Sequence, residues 1–468
     1  MTQDPIRHYV VLRANAKGVI PNYFNPDSAA ADQWARLYIA EHVYEGAIRA
    51  DPPFATVARP SNDVHSSVEG LTETPRPHEV VVALNIYGSG KVSSHQVVND
   101  IITAAAAPEK QDIFAGSSPD LVFASSDHWC IGDASDSIFS DRSGAEQLLG
   151  IDYLQSQNNT TGKGVNVVIV DQGLDKHALG ASYGGGWAVG NSPPGSPLPH
   201  PGSVRRPHGM MIAHNVLKVA PDALLFDLPL APPRIANIQA FLSLADAAYQ
   251  RLLIDIADLK LGQFPGPWIL VNPWGIFDRE SEQPKGHYTE NPNNHFNRLV
   301  VAAVSENIDV VFAAGNCGQF CPDNRCGATD QGPGRSIWGA NSLKEVLTVG
   351  AVRADNMWLG YSSQGPGQPR LGPKKPDLCA ASQFCENDDA FSINTGTSAA
   401  CGLTAGIVAA LRSRWNSTRV SPDRLKSILN QTARKPPGLK WGNALGYRLG
   451  NGILDASAAF KELKNQFP

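Results

Sequence analysis

Short apolar runs alternate along most of the chain with segments whose apolar residues recur at helical spacing. Such runs are typical of parallel strands that are buried on both faces. They occupy residues 165–170, 223–226, 268–271, 308–312 and 346–349. Helical spacing predicts amphipathic helices over 237–261 and 297–306. This alternation predicts an α/β domain with a mostly parallel sheet between two helical layers, and such sheets bind ligands beyond the carboxyl ends of their strands.

The N-terminal third of the chain follows a different pattern. It predicts strands over 8–13 and 79–86 and helices over 28–50 and 94–106, which together make a smaller α/β unit. Stretches rich in Pro, Gly, Asn or Ser predict loops. These loops cover residues 51–77, 180–206 and 278–297. We therefore expect two domains, an N-terminal α/β extension over 1–150 and a larger α/β domain over 151–468.

Charge and hydropathy exclude several classes of protein. The 468 residues include 39 basic and 44 acidic side chains, for a net charge of −5, whereas a nucleic-acid binder is expected to carry a basic excess. No apolar run approaches the ~20 residues of a membrane-spanning helix. The first residues lack the basic-then-apolar pattern of a secretory signal. We therefore expect a cytoplasmic globular protein that binds neither nucleic acid nor a membrane.

The chain has seven cysteines, and Cys317, Cys321 and Cys326 are clustered. A zinc site would need a fourth ligand and closer CxxC spacing. The cluster therefore favours a structured loop that holds free thiols or one local disulfide, and we expect no metal ligand in it.

Four polar residues stand where an α/β sheet builds a ligand site. Asp171 follows a predicted strand and precedes a turn glycine, and Asn316 follows another strand after several small residues. His208 and Ser398 each open a helix-like run, and backbone amides at a helix N-terminus favour an alkoxide-like centre beside the serine. Taken singly, each residue also has an ordinary structural explanation, such as a turn, a helix cap or a core imidazole.

The motifs around these four residues follow one another in the order of a known family. They include Gly162-Lys-Gly-Val-Asn-Val-Val-Ile-Val-Asp171, His208-Gly209, Val219-Ala-Pro-Asp-Ala223, Ala313-Ala-Gly-Asn316, Gly396-Thr-Ser398 and Gly450-Asn-Gly-Ile-Leu-Asp455. From about Gly162 to Phe460 the sequence resembles the subtilisin-like serine proteases (subtilases, peptidase S8), whose triad follows the order Asp, His, Ser. The resemblance implies a three-layer α/β/α fold with a mostly parallel sheet, and a serine endopeptidase whose substrate is a polypeptide.

The resemblance also implies roles for individual residues. Ser398 would be the nucleophile, His208 the general base and acid, and Asp171 the carboxylate that orients the imidazole. The Asn316 side chain and the Ser398 backbone amide would form the oxyanion hole. Two further segments would line the specificity cleft and bind substrate as an added strand. These segments consist of Trp274, Gly275, Ala313, Ala314 and Gly315.

The chain departs from the family pattern close to these residues. Met210 replaces the usual Thr after His-Gly, and Gln172 replaces the usual small hydroxyl residue after the Asp. Pro273 replaces the usual Ser before the cleft Trp-Gly, and Gly402 replaces the usual Pro after the nucleophile. These departures predict less efficient catalysis, although the proton-transfer residues and the oxyanion donor are retained. The alternative is a weak or inactive subtilase-like scaffold that binds peptides or partner proteins in the same groove.

The resemblance raises two further questions, on calcium and on the N-terminal extension. Secreted members carry a calcium loop in the helix after the catalytic His, whereas ten residues without an acidic or Asn-rich insertion separate His208 from Val219. We expect that calcium site to be absent and no cofactor to be required, with a weak calcium site left open in the loop of Asp323 and Asp330. Residues 1–150 would be either a prodomain that inhibits and chaperones the enzyme or a module that binds a partner protein.

Overall fold

A computed structural model gives the fold. It describes residues 6–13, 48–50, 79–86, 93–108, 114–119, 124–125, 140–157, 159–187, 200–203, 207–230, 241–280, 282–386, 389–436 and 442–468. Several predicted features lie outside these residues: 28–47 of a predicted helix, 237–240 of another, the predicted loop over 51–77, part of the predicted loop over 180–206, and Cys130.

The first described elements form a small antiparallel sheet covered by one helix. They are β1 (Ile6–Arg13), β2 (Ile48–Ala50), β3 (Glu79–Ile86), α1 (Ser94–Ala106) and β4 (Phe114–Pro119). The strand order is β2-β3-β1-β4, and Val97, Val98 and Ile101 of α1 are buried. The predicted strands and the helix over 94–106 agree with this unit. The helix predicted over 28–50 is wrong at its end, because residues 48–50 pair with β3 as a strand.

The larger part of the chain alternates strands with helices. Its strands are β5 (Ala124–Ser125), β6 (Ser140–Asp141), β7 (Asn166–Asp171), β8 (Tyr183–Gly186), β9 (Leu224–Pro229), β10 (Trp268–Asn272), β11 (Trp274–Gly275), β12 (Ile308–Ala313), β13 (Leu347–Val352), β14 (Leu378–Ala381), β15 (Phe384–Glu386) and β16 (Asp389–Asn394). Its helices are α2 (Arg142–Leu149), α3 (Ile151–Gln155), α4 (Lys176–Leu179), α5 (Pro207–Val219), α6 (Phe241–Leu261), α7 (His295–Ser305), α8 (Gly396–Arg412), α9 (Pro422–Thr432), α10 (Asn443–Leu449) and α11 (Ala456–Gln466). Among the described residues, no helix is both long enough and apolar enough to cross a membrane.

Seven of these strands form one parallel sheet with a helical layer on each face. The strand order is β14-β13-β12-β10-β7-β9-β8, and every neighbouring pair is parallel. Val167 and Ile169 of β7 join the core beneath α5 and α8, whereas Val168 and Val170 join the core beneath α6 and α7. The predicted three-layer α/β/α fold with a mostly parallel sheet is therefore confirmed.

The structure corrects two boundaries in the predicted loops. Residues 183–186 form strand β8, although a loop was predicted over 180–206. Glycine hides this strand from the sequence pattern, and a Cβ at Gly184 would lie 2.7 Å from the Leu224 side chain of β9. The loop predicted over 278–297 ends early, because Asn294 caps α7 by accepting from the Phe296 amide.

The small N-terminal sheet packs on the layer that contains α6 and α7. Tyr9 and Val11 of β1 belong to the same buried cluster as those helices. The Tyr9 hydroxyl donates to Asp246 of α6 at 3.1 Å, and the Asn294 amide donates to the Ser118 hydroxyl at 2.8 Å. The N-terminal sheet is thus joined to the larger domain by a core and by buried hydrogen bonds.

The cysteine cluster forms a disulfide-bonded loop. Cys317 and Cys326 are linked to each other, and Cys321 is also disulfide-bonded. The local disulfide is therefore confirmed, and the alternative of free thiols is wrong for these cysteines. The loop follows Asn316 directly, so the disulfide restrains the chain next to that side chain.

Candidate active site

The polar residues singled out in the sequence lie at the carboxyl edge of the seven-stranded sheet. β7 stands between β9 and β10: the chain continues from β7 to β8 and β9 on one side of it and then crosses to β10 and the later strands on the other side. This is a topological switch point, where open α/β sheets form a crevice. Asp171 is the last residue of β7, and Pro273 and Asn316 come shortly after β10 and β12.

Asp171 and His208 form a buried hydrogen-bonded pair. His208 lies in the first turn of α5, and its Nδ1 atom is 2.8 Å from Oδ1 and 2.7 Å from Oδ2 of Asp171. The Gln172 main-chain amide also donates to Asp171 Oδ1 at 2.8 Å. The exposed fractions are 1% for Asp171 and 5% for His208. A carboxylate in this position fixes the orientation of the imidazole and stabilises its protonated form.

Two glycines bring the helices of His208 and Ser398 into close contact. A Cβ at Gly402 would lie 3.1 Å from Asn215 Cβ, and one at Gly406 would lie 2.8 Å from Val219 Cβ. α8 can therefore approach α5 more closely than helices with larger side chains could. Burial raises the pKa of the Cys401 thiol on α8, and the nearby Asp171 charge adds to that rise. The N-terminal half of α8 therefore lies close enough to Asp171 for the carboxylate charge to act on Cys401.

Ser398 is fully buried in the first turn of α8. Its hydroxyl donates to the Pro273 carbonyl oxygen at 3.1 Å. The sequence pattern marked Pro273 only for its missing N–H, whereas the structure uses its carbonyl.

The side chain of Asn316 is held by its oxygen. Asn316 Oδ1 accepts from the amide and the hydroxyl of Thr397, both at 3.0 Å, and Thr397 directly precedes Ser398. The Thr397 hydroxyl in turn accepts from the Gly315 amide at 3.1 Å. In the described part of the chain, the buried Nδ2 of Asn316 has no hydrogen-bond partner. A donor amide is therefore fixed beside Ser398 and left unused.

The segments predicted to bind substrate lie side by side. The Asn341 side-chain amide donates to the carbonyl oxygens of Trp274 and Ala313, each at 2.8 Å, and so joins the two segments. Ala314 follows β12 and donates to Val349 at 2.9 Å, and Gly315 has a φ of +100°, a conformation that favours glycine.

A segment of the N-terminal region occupies one edge of this cleft. β5 pairs antiparallel with β11, so that Ser125 lies opposite Trp274 and Ala124 opposite Gly275. This is the edge on which the resemblance places a bound peptide.

The described residues contain no group of three or more His, Cys, Asp or Glu side chains that could hold a metal ion. The two carboxylates for which the sequence left a weak calcium site open have other partners. Asp323 bonds Arg325 through both oxygens, and Asp330 bonds Arg279 at 2.7 Å. α5 runs through residues 207–219 as one uninterrupted helix.

Two polar residues that support the site were missed in the sequence. Asn341 joins the cleft segments, and Asp227 on β9 accepts an amide from the turn that follows Asp171. The sequence could have revealed Asp227, because this carboxylate interrupts the apolar run of a strand that is buried along nearly its whole length. No sequence pattern could have revealed Asn341, since its role depends on contacts between segments that are distant in sequence.

Comparison with known proteins agrees with this fold and motif order. The model of the subtilase family matches residues 162–452, which is more than half of the chain. No curated protein sequence matches the chain. The chain belongs to the subtilase family, and it is a serine endopeptidase, a hydrolase whose substrate is a polypeptide.

Two solved structures are similar to this chain. Fervidolysin from Fervidobacterium pennivorans, described as a keratinolytic enzyme related to subtilisin, has a TM-score of 0.55 and 13% identity. That match covers 98% of this chain and 61% of fervidolysin. MycP1 from Mycobacterium smegmatis has a TM-score of 0.44 and 18% identity, over 73% of this chain and 89% of MycP1.

Proposed function

We propose that the endopeptidase acts through Ser398, His208 and Asp171, with Asn316 as an oxyanion donor. The observation that carries the proposal is the state of Asn316, whose oxygen is bound by Thr397 while its buried Nδ2 stays unused. Buried polar groups are normally hydrogen-bonded, so an unused donor at such a place calls for an explanation. A substrate oxygen that gains negative charge would supply the missing acceptor.

The residues would act in two stages. Ser398 Oγ attacks the scissile carbonyl carbon while His208 takes the hydroxyl proton, and the carbonyl oxygen becomes an oxyanion held by Asn316 Nδ2 and the Ser398 amide. His208 then passes the proton to the leaving amine, the C–N bond breaks, and an acyl ester remains on Ser398. Water attacks the ester in the same way, with His208 again as base and acid. Asp171 keeps the imidazole in the correct tautomer throughout.

Covalent labelling tests this mechanism against the inactive-scaffold alternative. We expect a fluorophosphonate to label Ser398 in the native chain and to leave the variant Ser398→Ala unlabelled. That variant should lose peptide hydrolysis and lower the melting temperature by at most a few degrees, because it removes one buried hydrogen bond, to the Pro273 carbonyl. Absence of labelling and of hydrolysis in the variant Ser125→Pro, which weakens the pairing of β5 with the cleft edge, or native activity in Ser398→Ala, would contradict the mechanism.

We also propose that residues 1–150 form a docked regulatory extension that blocks the cleft. Support comes from β5, which lies on the Trp274–Gly275 edge, and from Ser398 and Asn316, which have no exposed surface. The variant Ser125→Pro removes the main-chain N–H and hinders the pairing of β5 with β11. Ser125→Ala keeps the N–H and the pairing, so it serves as the control. We expect faster fluorophosphonate labelling of the proline variant only. N-terminal sequencing of the active protein distinguishes a cleaved prodomain from a retained module.

We further propose that catalysis requires no metal. Support comes from the unbroken α5 and from the arginine partners of Asp323 and Asp330. The chemistry described above uses only side chains and main-chain amides, and none of its steps calls for a cation.

A further inference from the structure

Asp227 is a fully buried carboxylate beneath the Asp171–His208 pair. It lies on β9 beside β7, where its register partner is Ile169. Its Oδ2 atom accepts two main-chain amides, from Leu174 at 3.0 Å and from Gly202 at 2.8 Å. In the described part of the chain its Oδ1 atom has no hydrogen-bond partner.

The two amides come from the two segments that position the pair. Leu174 closes the turn that begins at Asp171, and Gly202 lies shortly before the helix that carries His208. The segments also bond each other, because the Lys176 amide donates to the Gly202 carbonyl at 3.1 Å. One carboxylate oxygen therefore joins the chain that leaves Asp171 to the chain that leads into His208.

The turn after Asp171 also rests directly on the start of α5. A Cβ at Gly209 would lie 2.4 Å from the Gly173 carbonyl oxygen, so no side chain fits between them. The Asp175 amide contacts the Met210 sulfur at 3.4 Å. A displacement of the turn would therefore change the distance between Asp171 and His208, and a misplacement of about 1 Å can lower turnover about a hundredfold.

The site around Asp227 is electrostatically unusual. Burial raises the pKa of Asp227 to about 7, although the amides of Gly202 and Leu174 act in the opposite direction, and the charge of Asp171 raises it further. Other ionisable groups on the described neighbouring segments include His208 on α5, Asp175 and Lys176 after the turn, and His200 and Tyr183 near Gly202. The protonation state of Asp227 therefore changes near neutral pH, close to the catalytic pair.

We propose that Asp227 is a positioning residue of this endopeptidase, which holds Asp171 and His208 in register by joining the segments on either side of them. This inference rests on the proposed function of Asp171 and His208. The charge of Asp227 adds a second anion that interacts with Asp171, so the residue also influences the pH at which the Asp171–His208 pair can accept a proton.

A set of three variants tests the proposal. Asp227→Ala removes both acceptor contacts, whereas Asp227→Asn keeps a carbonyl oxygen for them and removes the charge. The matched control is Asp255→Asn, because Asp255 on α6 is similarly buried and its carboxylate binds Trp187 and Arg251 instead of the segments next to Asp171 and His208. Steady-state hydrolysis of a peptide substrate is measured from pH 5 to pH 9, together with near-ultraviolet circular dichroism as a test of folding.

We expect Asp227→Ala to lower kcat about tenfold to a hundredfold with KM within twofold, since misplacement affects the chemical step. Asp227→Asn should recover most of kcat, and its acid limb should move to lower pH because one anion has been removed. Asp255→Asn should keep the native kcat and pH profile. Native kinetics and pH profile in both Asp227 variants, or an equal loss in Asp255→Asn, would overturn the positioning role.

A spectroscopic measurement separates this inference from the proposed function. The proton on His208 Nδ1, bonded to Asp171, gives a downfield NMR signal that does not depend on turnover. We expect that signal to move or broaden in Asp227→Ala, even in a Ser398→Ala background that cannot hydrolyse peptides. An unchanged signal overturns the positioning role, whereas absence of labelling and hydrolysis in both the native chain and Ser125→Pro overturns the proposed function alone.

Discussion

Acid should weaken the N-terminal sheet through His8. This residue of β1 has no exposed surface, and within the described part of the chain neither of its ring nitrogens has a hydrogen-bond partner. Its ring lies 6.0 Å from that of His287, centroid to centroid. Burial lowers the pKa of His8 well below its usual value, and the neighbouring His287 lowers it further. A proton on His8 would place an unpaired charge between the sheet and the larger domain.

The magnitude follows from proton linkage. The folded pKa lies below the unfolded value of about 6.5, so the unfolded sheet binds more protons and stability increases with pH. The titration of His8 therefore leaves the free energy of unfolding unchanged above about pH 7. It lowers this free energy progressively below about pH 6.5. One group changes the free energy of unfolding by about 1.4 kcal/mol per pH unit in that range, which is about tenfold in the opening equilibrium.

The assay is hydrogen exchange of β1 and β3 amides at pH 7.0 and pH 5.5, corrected for the intrinsic exchange rate. We expect the native chain to lose about tenfold more protection on acidification than His8→Phe, which keeps a ring and cannot titrate. His95→Phe, at an exposed position of α1, serves as the matched control and should behave like the native chain. Equal acid sensitivity in the native chain and in His8→Phe would refute the reasoning.

Three further predictions concern the catalytic centre and the core. Asn316→Ala should lower kcat about 10²- to 10³-fold with a smaller change in KM, because it removes an oxyanion donor; a change in KM alone would contradict this role. Asp309→Ala should cost about 3–5 kcal/mol in the free energy of unfolding, because it leaves the buried Arg412, bonded at 2.6 and 2.7 Å, without its carboxylate. Calorimetry would show this cost, and Asp355→Ala in an exposed pair should cost under about 1 kcal/mol. EDTA should leave the rate of peptide hydrolysis unchanged, and restoration of a lost rate by added calcium would contradict the metal-free proposal.

The parallel sheet was predictable because its strands are buried on both faces. Mostly apolar runs such as 165–170 and 308–312, which alternate with helical segments, are typical of buried parallel strands. β8 and β14 escaped because their runs contain glycine, alanine or cysteine, whose place in a sheet is decided by close approach to a neighbouring strand. The short β5 could not be predicted, since β11, with which it pairs, lies in a distant segment.

The candidate site was predictable as a set of motifs and less so as a geometry. Asp171, His208, Asn316 and Ser398 stand out because each lies in a recognisable motif in the family order. The use of the Pro273 carbonyl and the bridging role of Asn341 depend on main-chain groups that every residue carries, so residue type cannot reveal them. Their discovery requires the three-dimensional neighbours.

The cytoplasmic location predicted from the sequence stays a prediction, and the disulfide offers a way to examine it. Disulfides persist mainly in oxidising compartments and are rare where glutathione keeps thiols reduced. The mass of the alkylated chain, taken directly from cells, would report whether Cys317 and Cys326 are linked there.

Gly402 and Gly406 of α8 allow it to lie close to α5, so the distance between the proposed base His208 and the proposed nucleophile Ser398 depends on two residues that have no side chain. In a library of single substitutions, we therefore expect these two positions, which lie away from the scissile bond, to tolerate fewer substitutions than many positions that line the cleft. Even the methyl group of alanine at 402 or 406 would push the two helices apart. In protein engineering, α5 and α8 should therefore be transplanted or redesigned together.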